Sequence, residues 1–181
     1  NEVVPDIGEI NYASEHLSIE IESFADDYFE LEGERIEIIP RLMGDYKYNT
    51  AVWIPSIKTL CCSDIVFNEA HPFTCEVNEE ERQEWIEVLE KLRAYNADVI
   101  IPGHARFGMP FDESGLDWTR DYLLATEIEL KKAKTKGDFF YAMDRLFPNA
   151  ILKKSNEMNC EVFFGGKVWD WREEEIWDKG K

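Results

Sequence analysis

The chain has 181 residues, 44% apolar and 13% aromatic, which suits one folded domain with a sizeable core. Its 38 acidic residues outnumber 20 basic ones, and the net charge of −18 argues against nucleic acid or an anionic membrane as the main partner. No apolar run approaches the ~20 residues that span a bilayer, and the start Asn1-Glu-Val-Val-Pro lacks the basic and apolar stretches of a signal peptide.

Residues 1–27 form an acidic leader in which Leu17-Ser-Ile-Glu-Ile alternates with the period of a strand. Residues 28–39 are clearer. Phe29, Leu31, Ile36 and Ile38 alternate with charged residues around Glu32-Gly33-Glu34, which predicts a hairpin with one wet face, ended by Pro40. A polar loop from Arg41 to Asn49 leads into a second hairpin, with strands over Thr50–Ile54 and Leu60–Phe67. Their nearly continuous apolar character fits burial on both faces.

The pattern then turns helical. Asn78 is a good N-cap, Glu79, Glu80 and Glu81 complement the helix dipole, and Trp85, Val88, Leu89 and Leu92 make a core stripe ending near Asn96. A short strand, Val99–Ile101, follows at once and runs into Pro102-Gly103-His104. Beyond it, Ser114 or Asp117 caps a helix reaching about Lys134, and Asp138 caps a shorter one carrying Phe139, Met143 and Phe147. The aromatic tail from Val162 to Trp171 reads as a final strand or a packing arm, with Trp118, Trp169, Trp171 and Trp177 holding the C-terminal region onto the rest.

Four cysteines, at positions 61, 62, 75 and 160, lack metal or redox spacing. Cys61 and Cys62 point to opposite faces of one strand and read as small core residues. A reducing, cytoplasmic compartment is expected from this usage. The chain does not begin with Met, so Asn1 is expected not to be the natural start.

Two metal-capable side chains, Asp64 and His104, fall at the ends of apolar strands separated by one helix. Taken alone, Asp64 also fits a turn residue and His104 a satisfied loop histidine. Thr50-Ala-Val-Trp-Ile-Pro-Ser, Ser63-Asp64-Ile-Val-Phe67, His71-Pro72-Phe73, Trp85-Ile86-Glu-Val-Leu89 and Ile100-Ile101-Pro-Gly-His104 together resemble the C-terminal half of a metallo-β-lactamase-fold hydrolase, over about residues 28–147.

The resemblance implies an α/β fold, an incomplete αββα sandwich with extra C-terminal helices. It divides a single domain 1–181 into the leader, a region 28–104 that carries the metal edge, and a helical, aromatic region 105–181. Asp64 matches the carboxylate that bridges two metals, usually zinc with iron as an alternative, and is the catalytic residue implied. His104 matches the last histidine ligand, and His71 lies where the substrate mouth is expected. The family's His-x-His-x-Asp-His signature does not occur here, and Met43 or Gly44 stands where another histidine ligand belongs. Asp45, next to it, is the candidate oxygen substitute and a second residue of the mouth.

The expected function is metal-dependent hydrolysis of a small-molecule ester, lactone, thioester or amide. The alternative is a non-catalytic scaffold or interaction protein that has lost its metals. An iron-using redox or oxygen-dependent member of the fold is a third reading. Half a sandwich would leave an apolar sheet face bare, so the chain is expected to pack against an N-terminal half, a second copy or another partner.

Overall fold

The computed structural model describes residues 26–166. The Leu17–Ile21 pattern and Trp169, Trp171 and Trp177 lie outside them.

Strands β1 (Tyr28–Leu31) and β2 (Glu34–Leu42) form the first hairpin. Its two-residue turn places Glu32 and Gly33 at φ 54° and 87°, the left-handed pair that suits the twist of antiparallel strands. Pro40 does not end β2. The pairing with β3 (Asn49–Ile54) shifts register between Ile39 and Leu42, and Arg41 adopts φ 60°. A bulge absorbs the missing proline N–H, and the strand continues.

After a 3-10 turn at Pro55–Ile57, β4 (Thr59–Cys61) pairs antiparallel with β3. The expected strand to Phe67 is broken. Ser63 takes φ 48°, a 3-10 turn spans Ser63–Ile65, and β5 (Phe67–Asn68) joins a second, two-stranded sheet with β7 (His104–Ala105). The apolar run is buried as expected, with Ile65, Val66 and Phe67 all in the core, but it is not one strand.

Helix α1 (Glu79–Arg93) starts at a reciprocal capping box between Asn78 and Glu81, and buries Trp85, Val88, Leu89 and Leu92. It returns the chain to β6 (Val99–Ile101), which pairs parallel with β4 at the end of the five-stranded order β1-β2-β3-β4-β6. Helix α2 (Ser114–Lys132) begins differently from expectation: Asp112, not Ser114 or Asp117, accepts the Ser114 N–H at 2.9 Å. In α3 (Lys136–Leu146) the cap is Thr135, and Asp138 is its capping-box partner. Helix α4 (Lys153–Gly165) takes in Val162–Phe164, so this stretch is neither strand nor arm.

The main core lies between the sheet, α1 and α2, around Leu60, Trp85, Leu89, Ile100, Leu116 and Leu123. A second cluster joins α2, α3 and α4 through Tyr122, Phe139, Met143 and Cys160. Strand register decides which sheet residues face the main core. Ala51, Leu60 and Ile100 do; Phe29↔Ile36, Ile38↔Val52, Val52↔Cys61 and Cys61↔Ile101 pair on the opposite face. Among the described residues, Ile36, Ile38, Val52, Cys61 and Ile101 on that opposite face belong to neither core cluster.

Candidate metal centre

Strands β4 and β6 are parallel neighbours, and in α/β sheets the carboxyl ends of such strands are where ligands bind. Their register pairs Cys61 with Ile101, so Asp64 and His104, each three residues further on, arrive together. The Cys62 N–H donates to the Ile101 carbonyl at 2.8 Å, extending the pairing past the strand ends. Gly103 then packs against the Ser63–Asp64 turn, its N–H shared between the Ser63 and Val66 carbonyls at 2.9 and 3.0 Å. A side chain at Gly103 would strike the Asp64 carboxylate and come within 2.6 Å of the Ser63 carbonyl. This contact needs glycine.

His104 Nε2 lies 3.2 Å from Asp64 Oδ1, and both side chains are nearly half exposed. The imidazole stacks on Phe67 at 5.4 Å between ring centroids, and Phe67 meets Trp85 edge-on at 6.2 Å. Trp85 is fixed in turn by its indole N–H, which donates to the Ile65 carbonyl at 2.8 Å. The core stripe of α1 thus buttresses the histidine through one aromatic ring.

The loop from Met43 to Tyr48 supplies the third side. Met43 is buried in the main core, so it cannot donate to the site. Gly44 has no room for a side chain: a Cβ there would sit 2.7 Å from Asn49 Nδ2 and 2.8 Å from the Asp64 carbonyl. The next residue, Asp45, donates its N–H to the Asp64 carbonyl at 3.1 Å. Its carboxylate accepts a long 3.4 Å hydrogen bond from Asn49, which also holds the Tyr46 carbonyl at 2.8 Å. Burial, and then the negative charge of Asp64, push the Asp45 carboxyl up to about 7.

His71 is placed elsewhere. It is fully buried, with Nδ1 2.9 Å from the Tyr122 hydroxyl, and burial pushes it down to about 4. Its Nε2 has no hydrogen-bond partner. The ring therefore belongs to the interior beside the second cluster and does not line a mouth. The Pro-Gly-His run marks Gly103 in the sequence as the turn that presents His104. Sequence reasoning passes over Asn49 and Phe67, which also set the geometry of the Asp64–His104 edge and owe their roles to contacts that local sequence does not display.

Among the described residues, no group of three His, Cys, Asp or Glu side chains converges in a ready-made metal cluster. The pair nevertheless fits two corners of one. Ligands ~2.0–2.1 Å from a tetrahedral ion stand about 3.3 Å apart, and Asp64 Oδ1 and His104 Nε2 are separated by 3.2 Å. Two corners and no more are formed in this geometry.

No protein-family model matches the sequence, and no curated protein matches it. Solved structures do. A metallo-beta-lactamase family protein from Thermus thermophilus superposes on 84% of this chain and 53% of its own, with TM-score 0.52 and 14% identity. A metallo-beta-lactamase from Pontibacter korlensis matches 64% of this chain and 54% of its own, with TM-score 0.49 and 24% identity. A sec-alkylsulfatase from Pseudomonas sp. matches 84% of this chain and 28% of its own, with TM-score 0.49 and 17% identity. The chain spans about half the length of the first two. At these identities the likeness is one of architecture, and the sheet-and-helix arrangement that brings Asp64 to His104 is that of the metallo-β-lactamase fold.

Proposed function

We propose that this chain is part of a metal-dependent hydrolase acting on a small molecule. The observation that carries the reading is the Asp64–His104 pair at the carboxyl ends of two adjacent parallel strands, half-exposed and spaced as two ligands of one ion. Asp64 and His104 would hold a divalent cation, zinc or iron by the fold's habit, which would supply a water of low pKa and polarise the scissile bond. The chain's own part is to hold that position. Asp64 presents a carboxylate from a strained turn, His104 presents Nε2 with its ring fixed on Phe67, and Asp45 adds negative potential from the loop opposite. The accumulated carboxylate charge, with no basic side chain among the contacts described for it, favours a cation over an anion.

The remaining ligands come from outside residues 26–166, on a second sheet packed over the face that carries Ile38, Val52 and Cys61. That sheet belongs to another stretch of polypeptide or to a second copy. The substrate is a small ester, lactone, thioester or amide. Neither nucleic acid nor membrane is a partner, given the −18 charge. No helix among the described residues is long and apolar enough to cross a membrane.

One observation favours a second reading, a scaffold without catalysis: Met43 is buried and Gly44 has no space for a side chain, so the loop offers no histidine. Elemental mass spectrometry on the chain assembled with the polypeptide that supplies the second sheet separates the two. A bound divalent metal that is lost in Asp64→Asn supports the hydrolase. A chain that stays free of metal after soaking with zinc and with iron leaves the scaffold.

A further inference from the structure

Helices α1 and α2 run antiparallel, clasped at one end by Arg93 and Asp117 at 2.7 Å and at the other by Lys131 and Glu79 at 3.0 Å. Between them lies an open groove of about 950 Å3. Arg82, buried and ion-paired with Glu127, lines it, together with Ile86 from α1 and Leu124 and Ile128 from α2. Leu124 and Ile128, one helical turn apart, are 45% and 51% exposed. The chain leaves α4 beside this groove. The Arg82 guanidinium lies 5.4 Å from the centre of the Phe163 ring, in the last turn of α4. That helix stops at Gly165, and Gly166 caps it at φ 67°, the left-handed conformation that turns a chain away from a helix axis. Lys167-Val-Trp169-Asp-Trp171-Arg172 follows in the sequence.

We propose that the groove between α1 and α2 is the docking site of the chain's own segment 167–172, with Trp169 and Trp171 covering Ile86, Leu124 and Ile128. Reach allows it: Trp169 and Trp171 stand three and five residues past Gly166, an extended span of ~10–18 Å. Two indole rings bury on the order of 300–500 Å2 of surface, which suits a groove with apolar walls. Charge agrees as well. Glu79, Glu80 and Glu127 outnumber Arg82 and Lys131 around the groove, whereas Lys167 and Arg172 outnumber Asp170 in the segment. A tether this short also holds the segment at an effective concentration of about a millimolar, which a free partner does not match. A second copy bearing −18 would have to approach against repulsion.

The test is limited digestion of the full chain with chymotrypsin, which takes large apolar side chains into its specificity pocket. Intact mass follows the cuts after Trp169 and Trp171. Seated indoles are cleaved only from the undocked fraction. Leu124→Glu and Ile128→Glu place a charge on the groove wall at half-exposed positions, and circular dichroism confirms the fold of each. Tyr141→Glu, at a 69% exposed position on α3 outside the groove, is the control. The expected result is that each groove variant speeds both cuts about tenfold or more, while Tyr141→Glu leaves them unchanged. The native rate should not depend on protein concentration, because the docking is intramolecular. Cuts equally fast in the native chain and in both groove variants would overturn the inference. Protection that grows with protein concentration would overturn it in favour of a second copy.

Discussion

Gly103 is the residue on which the site's geometry most directly turns. Gly103→Ala would drive a methyl group into the Asp64 carboxylate and the Ser63 carbonyl, and backbone on the far side cannot give way cheaply. Overpacking of this kind costs on the order of 1–3 kcal/mol, and denaturant unfolding of the variant should show it. Gly137→Ala is the matched control: its added Cβ meets only the Thr135 hydroxyl, at 3.8 Å, in the first turn of a helix. It should be neutral or stabilising. Equal losses at the two positions would mean that Gly103 is not sterically committed.

Asp45 makes a prediction of opposite sign to the usual carboxylate. Its folded-state pKa is raised from 3.8 to about 7, so between those values the folded chain holds more protons than the unfolded one. Stability attributable to Asp45 is therefore greatest at low pH, falls as pH rises from about 4 to about 7, and is flat above. His71, pushed down to about 4, acts the other way over nearly the same window: the unfolded chain takes up the proton first, and stability is lost as pH falls from 6.5. The two slopes oppose each other in the native chain. The Asp45 contribution is read as the difference between native and Asp45→Asn, by thermal unfolding from pH 4 to 8. A difference that does not change across that range would show that Asp45 is not perturbed.

At the scale of elements, β5 is only two residues long, yet it carries Phe67, on which His104 rests. It is held less by its partner strand than by Thr119 on α2, whose hydroxyl lies 2.8 Å from the Phe67 N–H and 2.9 Å from the Phe67 carbonyl. Thr119→Val keeps the volume and strands a buried N–H, at a cost of about 1–3 kcal/mol. It should also weaken metal binding by loosening Phe67 beneath His104. Unaltered metal affinity in a destabilised variant would separate the helix from the site.

What can be read from the sequence follows the range of each interaction. Helix α1 is legible because Asn78, Glu81 and the Trp85–Leu92 stripe are local signals that agree. The Asp64 and His104 positions are legible because both lie just past apolar strands. The break at Ser63 is not, because Ile65 to Phe67 are as apolar as a strand while a left-handed serine turns the chain into another sheet. Likewise, Val162-Phe-Phe has strand-like composition, and its helical state comes from packing Phe163 and Phe164 against Phe139, an interaction between distant parts of the chain. The interior position of His71 is hidden for the same reason: nothing adjacent to it announces Tyr122, 51 residues away.

At the scale of the molecule, the five-stranded sheet has one face against α1 and α2 and another on which Ile36, Ile38, Val52, Cys61 and Ile101 lie. Val52 sits at its centre, opposite both Ile38 and Cys61. An apolar sheet face is stable in water when a second layer covers it, so the full chain is expected to sediment above 21.2 kDa or to acquire a partner that fills that layer. Val52→Asp places a charge in the middle of the face and should return the chain to 21.2 kDa without loss of helical signal. Ile57→Asp, at an exposed 3-10 turn away from the face, should leave the mass unchanged. Salt then separates self-association from a foreign partner. Two copies each bearing −18 repel, so a homo-oligomer should tighten as salt shortens the screening length from ~30 Å at 0.01 M to ~3 Å at 1 M. A basic partner should be released over the same range. A monodisperse 21.2 kDa chain that also fails to bind a hydrophobic dye would mean that the face is covered from within.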